Sequence, residues 1–342
     1  MKVLNITNSG TQWRVFEKEK IEEHFGEILD IPLGDLVSTQ NFIEEHGQEA
    51  IVFWRPNSDS IGTEEYTLMQ EQRKILNGCS FINDPNGYLN YHAKEKAFEI
   101  WDREKIRCPA HCLIEDTEEF LDEYEFEFPF LIRLNNEVTG QASYLVNDER
   151  ELLTSLKSLE ADYYTALRSN PFTQRIAVQF VDATKENGKY NLSYRIIVAG
   201  DKVVTGYARL SEASDWVAIT GKFKPEMQDN FVKYQKRCQS VVEENHDTIV
   251  RAVHSLGLNH QGVDAIEDQK GNLYFLECQP GYSTGYAHWA KPFYNPYYPE
   301  LVNFLVENKN HLQEEIPMYY DKWLDKEVLF EEVMSNLKEH IK

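Results

Sequence analysis

The stretch that decides the fold reads Gly262-Val-Asp-Ala-Ile-Glu-Asp-Gln-Lys-Gly-Asn-Leu-Tyr-Phe-Leu-Glu-Cys-Gln-Pro-Gly281. Two segments of strand character flank a turn-forming Asp-Gln-Lys-Gly-Asn, which predicts a hairpin. Residues two apart on a strand share a face, so Glu277 and Gln279 point the same way. If Asp264 faces that side too, the hairpin presents two carboxylates and an amide oxygen, which are hard donors suited to Mg²⁺. On these residues alone, an acidic hairpin with its charges in water is an equal alternative.

The composition sets limits on the partners of the chain. Its 342 residues suit two or three subdomains, and 42% hydrophobic residues are enough to build cores. The net charge of −22 argues against general affinity for nucleic acid or anionic membranes, which depends on clustered Lys and Arg. Any anionic ligand must therefore be met by a local basic pocket.

Cysteine usage and hydropathy predict a cytoplasmic protein. The five cysteines are odd in number and scattered, so reduced thiols are expected rather than a disulfide framework. No apolar run reaches the length of a membrane span, and the N-terminus enters a strand pattern directly, without the features of a signal peptide. The aromatic segment from Trp289 to Tyr298 is either a homodimer surface or core.

Strand and helix patterns alternate in the first 90 residues, which predicts a small parallel sheet. Further on, the sequence predicts a helix from Lys94 to Lys105 and strands at 128–134, 138–146 and 175–182. Two more strands flank a tight Gly200-Asp201 turn. Helices are expected at 148–159 and 229–256, and the tail is helical.

Four further segments and the hairpin follow one another along the chain in an order that is known from one protein family. The four segments are Lys94 with Ile106-Arg-Cys-Pro109, Phe128-Pro-Phe-Leu-Ile-Arg133 followed by Thr139-Gly-Gln-Ala-Ser143, Ala177-Val-Gln-Phe-Val-Asp182, and Ser193-Tyr-Arg-Ile-Ile-Val-Ala-Gly-Asp-Lys-Val-Val204 with Arg209. Together they resemble the ATP-grasp superfamily, in particular its carboxylate–amine ligases such as ribosomal-protein glutamate ligase and the ATP-binding domains of glutathione synthetase. The chain departs from the family pattern with Lys105 for a glycine, Arg133 for a lysine and Gln279 for an asparagine.

The resemblance implies a fold of the mixed α/β (α+β) class, with an N-terminal pre-grasp domain and two lobes that enclose ATP. The expected divisions are a pre-grasp α/β domain at 1–90, a small lobe with the phosphate loop at 91–178, a large lobe with the metal and substrate site at 179–310, and a helical tail at 311–342.

The resemblance also implies roles for individual residues. ATP is expected to meet the cations Lys94 and Arg133, the loop residues Gly140, Gln141 and Ser143, and the hinge residues Gln179, Phe180, Val181 and Asp182. Lys96 remains an alternative to Lys94. Metal ligands are expected at Asp264, Glu277 and Gln279, with Mg²⁺ as the ion and Mn²⁺ as an alternative. Arg195 and Arg209 are the expected catalytic residues, and Trp216, Lys222, Tyr282 and Ser283 are candidates for substrate contact.

The implied activity is that of a ligase. A substrate carboxylate takes the γ-phosphoryl group of ATP, and an amine then displaces phosphate from the acyl phosphate, with positioning and electrostatics as the main catalytic terms. The expected substrates are small-molecule or peptide carboxylates and amines, with no nucleic acid or membrane partner. A small-molecule kinase that stops at phosphorylation and a catalytically silent nucleotide-binding regulator remain alternatives, although two metal carboxylates argue against the regulator.

Overall fold

A computed structural model describes residues 2–8, 15–54, 61–137, 141–213, 227–279, 299–316, 321–322 and 326–341. Their strands form three sheets. No helix among these residues is long and apolar enough to cross a membrane.

The first sheet is parallel and lies near the N-terminus. Its strands, in spatial order, are β2 (Ile28–Pro32), β1 (Val3–Thr7), β3 (Ile51–Trp54) and β4 (Ser80–Ile82). All three pairings are parallel. The four residues of β3 are all buried, as expected for a parallel strand covered on both faces.

The second sheet is antiparallel and has four strands. In spatial order they are β5 (His111–Leu113), β8 (Arg175–Gln179), β6 (Phe130–Leu134) and β7 (Ser143–Val146).

The third sheet carries the opening hairpin. Its strands run in the order β11 (Lys202–Glu212), β10 (Tyr190–Ala199), β12 (His260–Glu267) and β13 (Leu273–Gln279). The short strand β9 (Thr184–Lys185) also pairs with β10. Every residue of β10 is buried. The strand lies in the interior of the sheet, and its side chains pack into two hydrophobic clusters, with Ile196 in one and Ile197 in the other.

The α-helices of the described residues are Val15–Phe25, Leu36–His46, Thr63–Ile75, Tyr88–His92, Lys94–Arg103, Thr117–Glu123, Glu149–Ala166, Gln228–His254, Pro299–Glu307, Lys309–Glu315 and Lys326–Ile341.

The structure confirms the parallel N-terminal sheet and the two predicted hairpins of the third sheet. It also changes several predicted bounds. The helix expected at 148–159 runs to Ala166, and β8 ends at Gln179 rather than at Asp182. Sequence patterns missed β2, whose burial alternates imperfectly, and the three-residue β5.

The C-terminal helix Lys326–Ile341 joins two of the sheets. Its apolar face buries Leu329, Val333 and Leu337 in one cluster with Phe53 of the first sheet and Ile197 of the third. An amphipathic helix gains most of its stability from such packing. The helix therefore holds the N-terminal sheet against the sheet that carries the hairpin.

Asn83 makes a second connection between the same parts of the chain. Its side-chain oxygen accepts hydrogen bonds from the backbone N–H groups of Asn259 (2.9 Å) and His260 (2.8 Å), and its amide nitrogen donates to the His260 carbonyl (2.9 Å). These bonds fix the start of β12, and hence of the hairpin, relative to the N-terminal sheet.

The helix Lys94–Arg103 ends in a Schellman motif at the position where the family pattern has glycine. The N–H of Ile106 donates to the Trp101 carbonyl (2.7 Å), and the N–H of Lys105 donates to the Asp102 carbonyl (3.0 Å). Lys105 has φ +59°, the left-handed conformation that disfavours a residue with a Cβ. The chain keeps the turn and tolerates the strain.

We expect Lys105→Gly to stabilise the protein. Removing the Cβ relieves left-handed strain of about 1–2 kcal/mol, of which the greater freedom of glycine in the unfolded chain cancels about half. Chemical denaturation should show a net gain of about 1 kcal/mol. Lys105→Ala is the matched control, because it removes the same charge and keeps the Cβ. An equal gain in both variants would mean that charge, not backbone strain, is the cause.

Candidate active site

The hairpin places its acidic residues on one face of the third sheet. Asp264 of β12 pairs with Arg195 of β10 on one side and with Glu277 of β13 on the other. An irregularity in the register between Asp264 and Ala265 accompanies this pairing. Gln279 lies two residues beyond Glu277 and so shares its face.

Asp264 and Arg195 form a buried, bidentate ion pair. The Arg195 Nε and Nη2 atoms each lie 2.6 Å from a different carboxylate oxygen of Asp264, and both residues are under 10% exposed. Such a two-point contact fixes the orientation of both groups. Burial alone raises the pKa of Asp264, but Arg195 and Arg209 outweigh it and lower the pKa to about 2.

Arg209 reaches the same carboxylate from β11. Its Nη2 lies 3.1 Å from Asp264 Oδ2, and its Nε donates to the Ser193 hydroxyl at 3.2 Å. Ser193 pairs with Arg209 across the β10–β11 ladder. The two arginines therefore converge at one spot, as predicted for groups that stabilise developing negative charge, while their catalytic role stays a prediction.

Glu277 contacts Lys94, the lysine that is predicted to bind the phosphate groups of ATP. Lys94 Nζ lies 2.9 Å from Glu277 Oε2, and the lysine is 7% exposed. Burial lowers the pKa of Lys94, and Glu277 offsets part of this effect. Lys96, the alternative, is half exposed and pairs with Glu99 at 3.0 Å. The geometry thus places Lys94, not Lys96, beside the hairpin.

Lys94 also occupies an electrostatically unfavourable place in its helix. It is the first residue of Lys94–Arg103, where the helix dipole favours negative charge by about 0.3–1 kcal/mol. Position and burial both oppose the ammonium group, so it depends on nearby anions such as Glu277.

Arg133 is the second cation beside the phosphate loop. Its Nη2 donates to the Glu137 carbonyl (3.0 Å), the same oxygen that Lys94 Nζ contacts at 3.1 Å. Its Nε donates to the carbonyl of Leu134. Among the described residues Arg133 makes no ion pair within 4 Å, and burial lowers its pKa. Two neighbouring cations with one close carboxylate are suited to an added anion.

The charges of this cluster do not balance. Lys94, Arg133, Arg195 and Arg209 carry four positive charges, whereas Asp264 and Glu277 carry two negative ones. Glu137, whose carboxylate also acts on Arg133, adds a third. In a protein of net charge −22, the described part of the site therefore has a local excess of positive charge.

The predicted hinge connects two sheets. Residues 180–183 run from β8 of the second sheet to β9 of the third. The Gln179 backbone N–H donates to the Ala110 carbonyl at 2.8 Å, and the Asp182 carboxylate accepts from the Thr184 N–H (2.9 Å) and hydroxyl (2.6 Å). Phe180 is half-buried and Val181 buried. Their contacts to adenine and ribose stay predictions.

The phosphate loop is described in part. Ser143 lies opposite Arg133 in the β6–β7 ladder and donates to the carbonyl of the exposed Gln141 (3.2 Å). The other predicted loop and substrate residues lie outside the described residues. They are Gly140, Trp216, Lys222, Tyr282 and Ser283.

Sequence reasoning missed two contributors to the site. The Glu137 carbonyl accepts hydrogen bonds from both Lys94 and Arg133. Residue types do not predict this contact, because the acceptor is a backbone atom. The Ser193 hydroxyl accepts a hydrogen bond from Arg209. Ser193 lies two residues before Arg195 on the same strand, and this spacing could have predicted that both side chains share a face.

The donor set fits a divalent cation in chemistry, since Asp264, Glu277 and Gln279 offer oxygen ligands. In this conformation, however, those oxygens already have partners. Arg195 Nη2 lies 3.3 Å from Gln279 Oε1, and Gln279 Nε2 donates to Glu277 Oε1 at 2.7 Å. An ionised carboxylate has about four lone-pair sites, so a metal bound by these residues would compete with Lys94 for Glu277 and with the arginines for Asp264 and Gln279 without displacing every contact.

Residues 92–286 match the family described as the RimK-like ATP-grasp domain. One similar curated protein is coenzyme gamma-F420-2:alpha-L-glutamate ligase of Methanocaldococcus jannaschii, 29% identical over 139 residues, which are 40% of this chain and 44% of that protein. The match thus spans less than half of that relative.

Solved structures show a similar fold. An L-amino acid ligase from Bacillus licheniformis superimposes with a TM-score of 0.52 at 14% identity, over 82% of this chain and 68% of that one. D-alanine–D-alanine ligase from Bacillus anthracis gives 0.50 at 12% identity, over 92% and 99% of the two chains.

We expect Asp264→Asn to destabilise the protein by about 3 kcal/mol near neutral pH, because it leaves Arg195 buried without its counter-charge. A carboxyl whose pKa is lowered by folding contributes stability above its unfolded-state pKa and loses it as the pH falls towards the folded-state pKa. The difference between parent and variant should therefore narrow below about pH 4. Denaturant unfolding across pH measures this, with Glu99→Gln as an exposed control that changes little. A gap that is independent of pH would contradict the assignment.

Proposed function

The chain belongs to the RimK-like ATP-grasp domain family, and from that membership we propose that it is an ATP- and Mg²⁺-dependent ligase. In this proposal it activates a substrate carboxylate as an acyl phosphate and joins it to an amine, with ADP and phosphate as products. ATP lies between the second and third sheets, which residues 180–183 connect.

The observation that carries the proposal is the close approach of two cations beside the hairpin, the buried Lys94 and the partly buried Arg133. Lys94 and Arg133 share the Glu137 carbonyl at 3.1 and 3.0 Å, at the edge of the predicted phosphate loop. Desolvated cations bind phosphate oxygens with charge-assisted hydrogen bonds about twice as strong as neutral ones. Two cations this close together are therefore suited to bind the phosphate groups of ATP.

Each proposed step has residues suited to it. Lys94 and Arg133 orient the γ-phosphate for attack by a carboxylate oxygen of the substrate, whose new bond to phosphorus replaces the bond to ADP. Amine nitrogen then attacks the acyl carbon, phosphate leaves, and the amine loses its proton. Asp264, Glu277 and Gln279 are the residues that would hold Mg²⁺, which would supply further neutralisation of phosphate charge.

Arg195 and Arg209 are proposed to act in the second step. Negative charge develops on the acyl oxygen when the amine attacks, and preorganised cations stabilise it without reorganising in the transition state. The contacts to Asp264 hold both guanidinium groups in place beforehand. Arg209 is the more accessible of the two, since its side chain is 19% exposed against 9% for Arg195.

We further propose an amino acid or peptide as the amine substrate. The similar proteins are ligases of glutamate, L-amino acids and D-alanine. This choice rests on those similar proteins, because the residues predicted to contact substrate lie outside the described part of the chain.

We expect parent protein to bind ATP with Mg²⁺ and to bind Mg²⁺ alone only weakly, since four cations repel a lone divalent ion. Glu277→Gln should weaken Mg²⁺-dependent ATP binding at least about ten-fold in calorimetry, as loss of a metal-site carboxylate does. The matched control is Glu267→Gln on the opposite face of the hairpin, where Glu267 pairs with Arg237 and Tyr194.

Equal losses in both variants would indicate general destabilisation, and a parent that does not bind ATP would refute the proposed function. Phosphate release should be screened with amino acids and peptides. Release that requires a second, amine substrate indicates the ligase, ADP formation without an amine indicates a kinase, and binding without turnover indicates a regulator.

We expect Arg209→Lys to lower kcat by about 100-fold and to change ATP affinity little. Lysine keeps the charge but not the planar group that contacts Ser193 and Asp264 together. Steady-state phosphate release with the acceptor from the screen measures this. Arg237→Lys, on the opposite face of the sheet, is the control and should retain activity. A variant with unchanged kcat would remove Arg209 from the second step.

A further inference from the structure

Three metal-ligating side chains meet on the far end of the third sheet. They come from three separate elements, namely Asp201 in the β10–β11 turn, His254 at the end of the helix Gln228–His254, and His340 in the C-terminal helix. One ligand atom of each lies within 4.8 Å of the others. None of the three belongs to the site at the hairpin.

We propose that Asp201, His254 and His340 form a site for a transition-metal ion, with Zn²⁺ the best match. The set combines two imidazoles and one carboxylate, a combination typical of zinc sites that keep a fourth position for water. Hard ions such as Mg²⁺ and Ca²⁺ prefer oxygen ligands, so the two imidazoles disfavour them.

The distances are close to those that zinc requires. His340 Nδ1 lies 3.2 Å from Asp201 Oδ2, and His254 Nε2 lies 3.8 Å from Asp201 Oδ1. Ligand atoms at about 2.0 Å from a tetrahedral ion lie about 3.3 Å apart. The ligand atoms of the cluster all lie within 4.8 Å of one another, so side-chain shifts of up to about 1.5 Å would reach that geometry. His254 Nε2 is also 3.0 Å from the Gly200 carbonyl, and it must give up that hydrogen bond to bind a metal.

The backbone holds the turn close to the C-terminal helix. Gly200 has φ +59°, and a Cβ at this position would lie 2.9 Å from both the Asn336 carbonyl and the Cβ of His340. The imidazoles of His254 and His340 lie 5.5 Å apart between ring centroids. Their side chains are about 30% exposed and that of Asp201 is 70% exposed, so an ion reaches the cluster from solvent.

The position of the cluster gives the metal a structural effect. The C-terminal helix packs Leu329, Val333 and Leu337 between the first and third sheets. A metal bound by His340 together with Asp201 and His254 would tie the last turns of that helix to the third sheet. Because the metal binds the folded chain, it adds its binding free energy to the stability of this packing.

The test is metal binding by the full-length, untagged protein after removal of bound metals. Calorimetry with Zn²⁺ should show one saturable site, and the thermal midpoint should rise with Zn²⁺. His254→Ala and His340→Ala should each weaken binding at least about ten-fold. His46→Ala is the matched control, since this histidine also lies 3.8 Å from a carboxylate, that of Glu45, but forms no three-ligand group with other described residues.

Co²⁺ distinguishes this site from the five free cysteines. Thiolate-bound Co²⁺ absorbs strongly in the near ultraviolet, whereas imidazole and carboxylate ligands do not produce that band. The proposal is supported if the parent protein binds Co²⁺ without a thiolate band and if His340→Ala loses that binding. Absence of a saturable site, a thiolate band, or equal affinity in parent and His340→Ala would overturn it. Neither histidine contacts the hairpin, so ATP binding by His340→Ala tests the ligase proposal separately.

Discussion

The buried pair of Arg195 and Asp264 is the constraint around which the site is arranged. Two charges under 10% exposed must satisfy each other, because a buried charge left alone costs about 3–5 kcal/mol. The pair lies directly across the β10–β12 ladder, so a slip of either strand by one residue would separate it. The register set in this way also places Glu277 and Arg209 on the same face, and their positions follow from the sheet rather than from local preference.

The departures from the family pattern have physical consequences in this chain. Arg133 replaces a compact ammonium with a planar group, and that group contacts the carbonyls of Leu134 and Glu137 together. Gln279, a methylene longer than asparagine, contacts both Glu277 and Arg195. Lys105 keeps the left-handed turn without the glycine.

The sequence predicted the parts of the site that depend on strand periodicity and turn chemistry. The alternation of side chains along a strand predicted that Glu277 and Gln279 share a face and that the strands of Arg195 and Arg209 pair, because a two-residue period allows few registers. It did not predict the ion pair of Lys94 with Glu277, since a helix pattern does not indicate which distant strand its first residue meets. Nor did the amphipathic tail reveal that its apolar face packs between two sheets. Such contacts depend on tertiary arrangement, which intrinsic propensity does not encode.

Existing ion pairs make ligand binding at this site an exchange rather than an addition. Lys94 is held by Glu277 at 2.9 Å and by the Glu137 carbonyl at 3.1 Å, so a phosphate that takes up Lys94 leaves Glu277 with less compensating charge. The carboxylate then becomes a better ligand for a divalent cation. Conversely, a cation at Glu277 frees Lys94 for phosphate. Nucleotide and metal should therefore each strengthen the binding of the other, and by linkage the two effects must be equal in size.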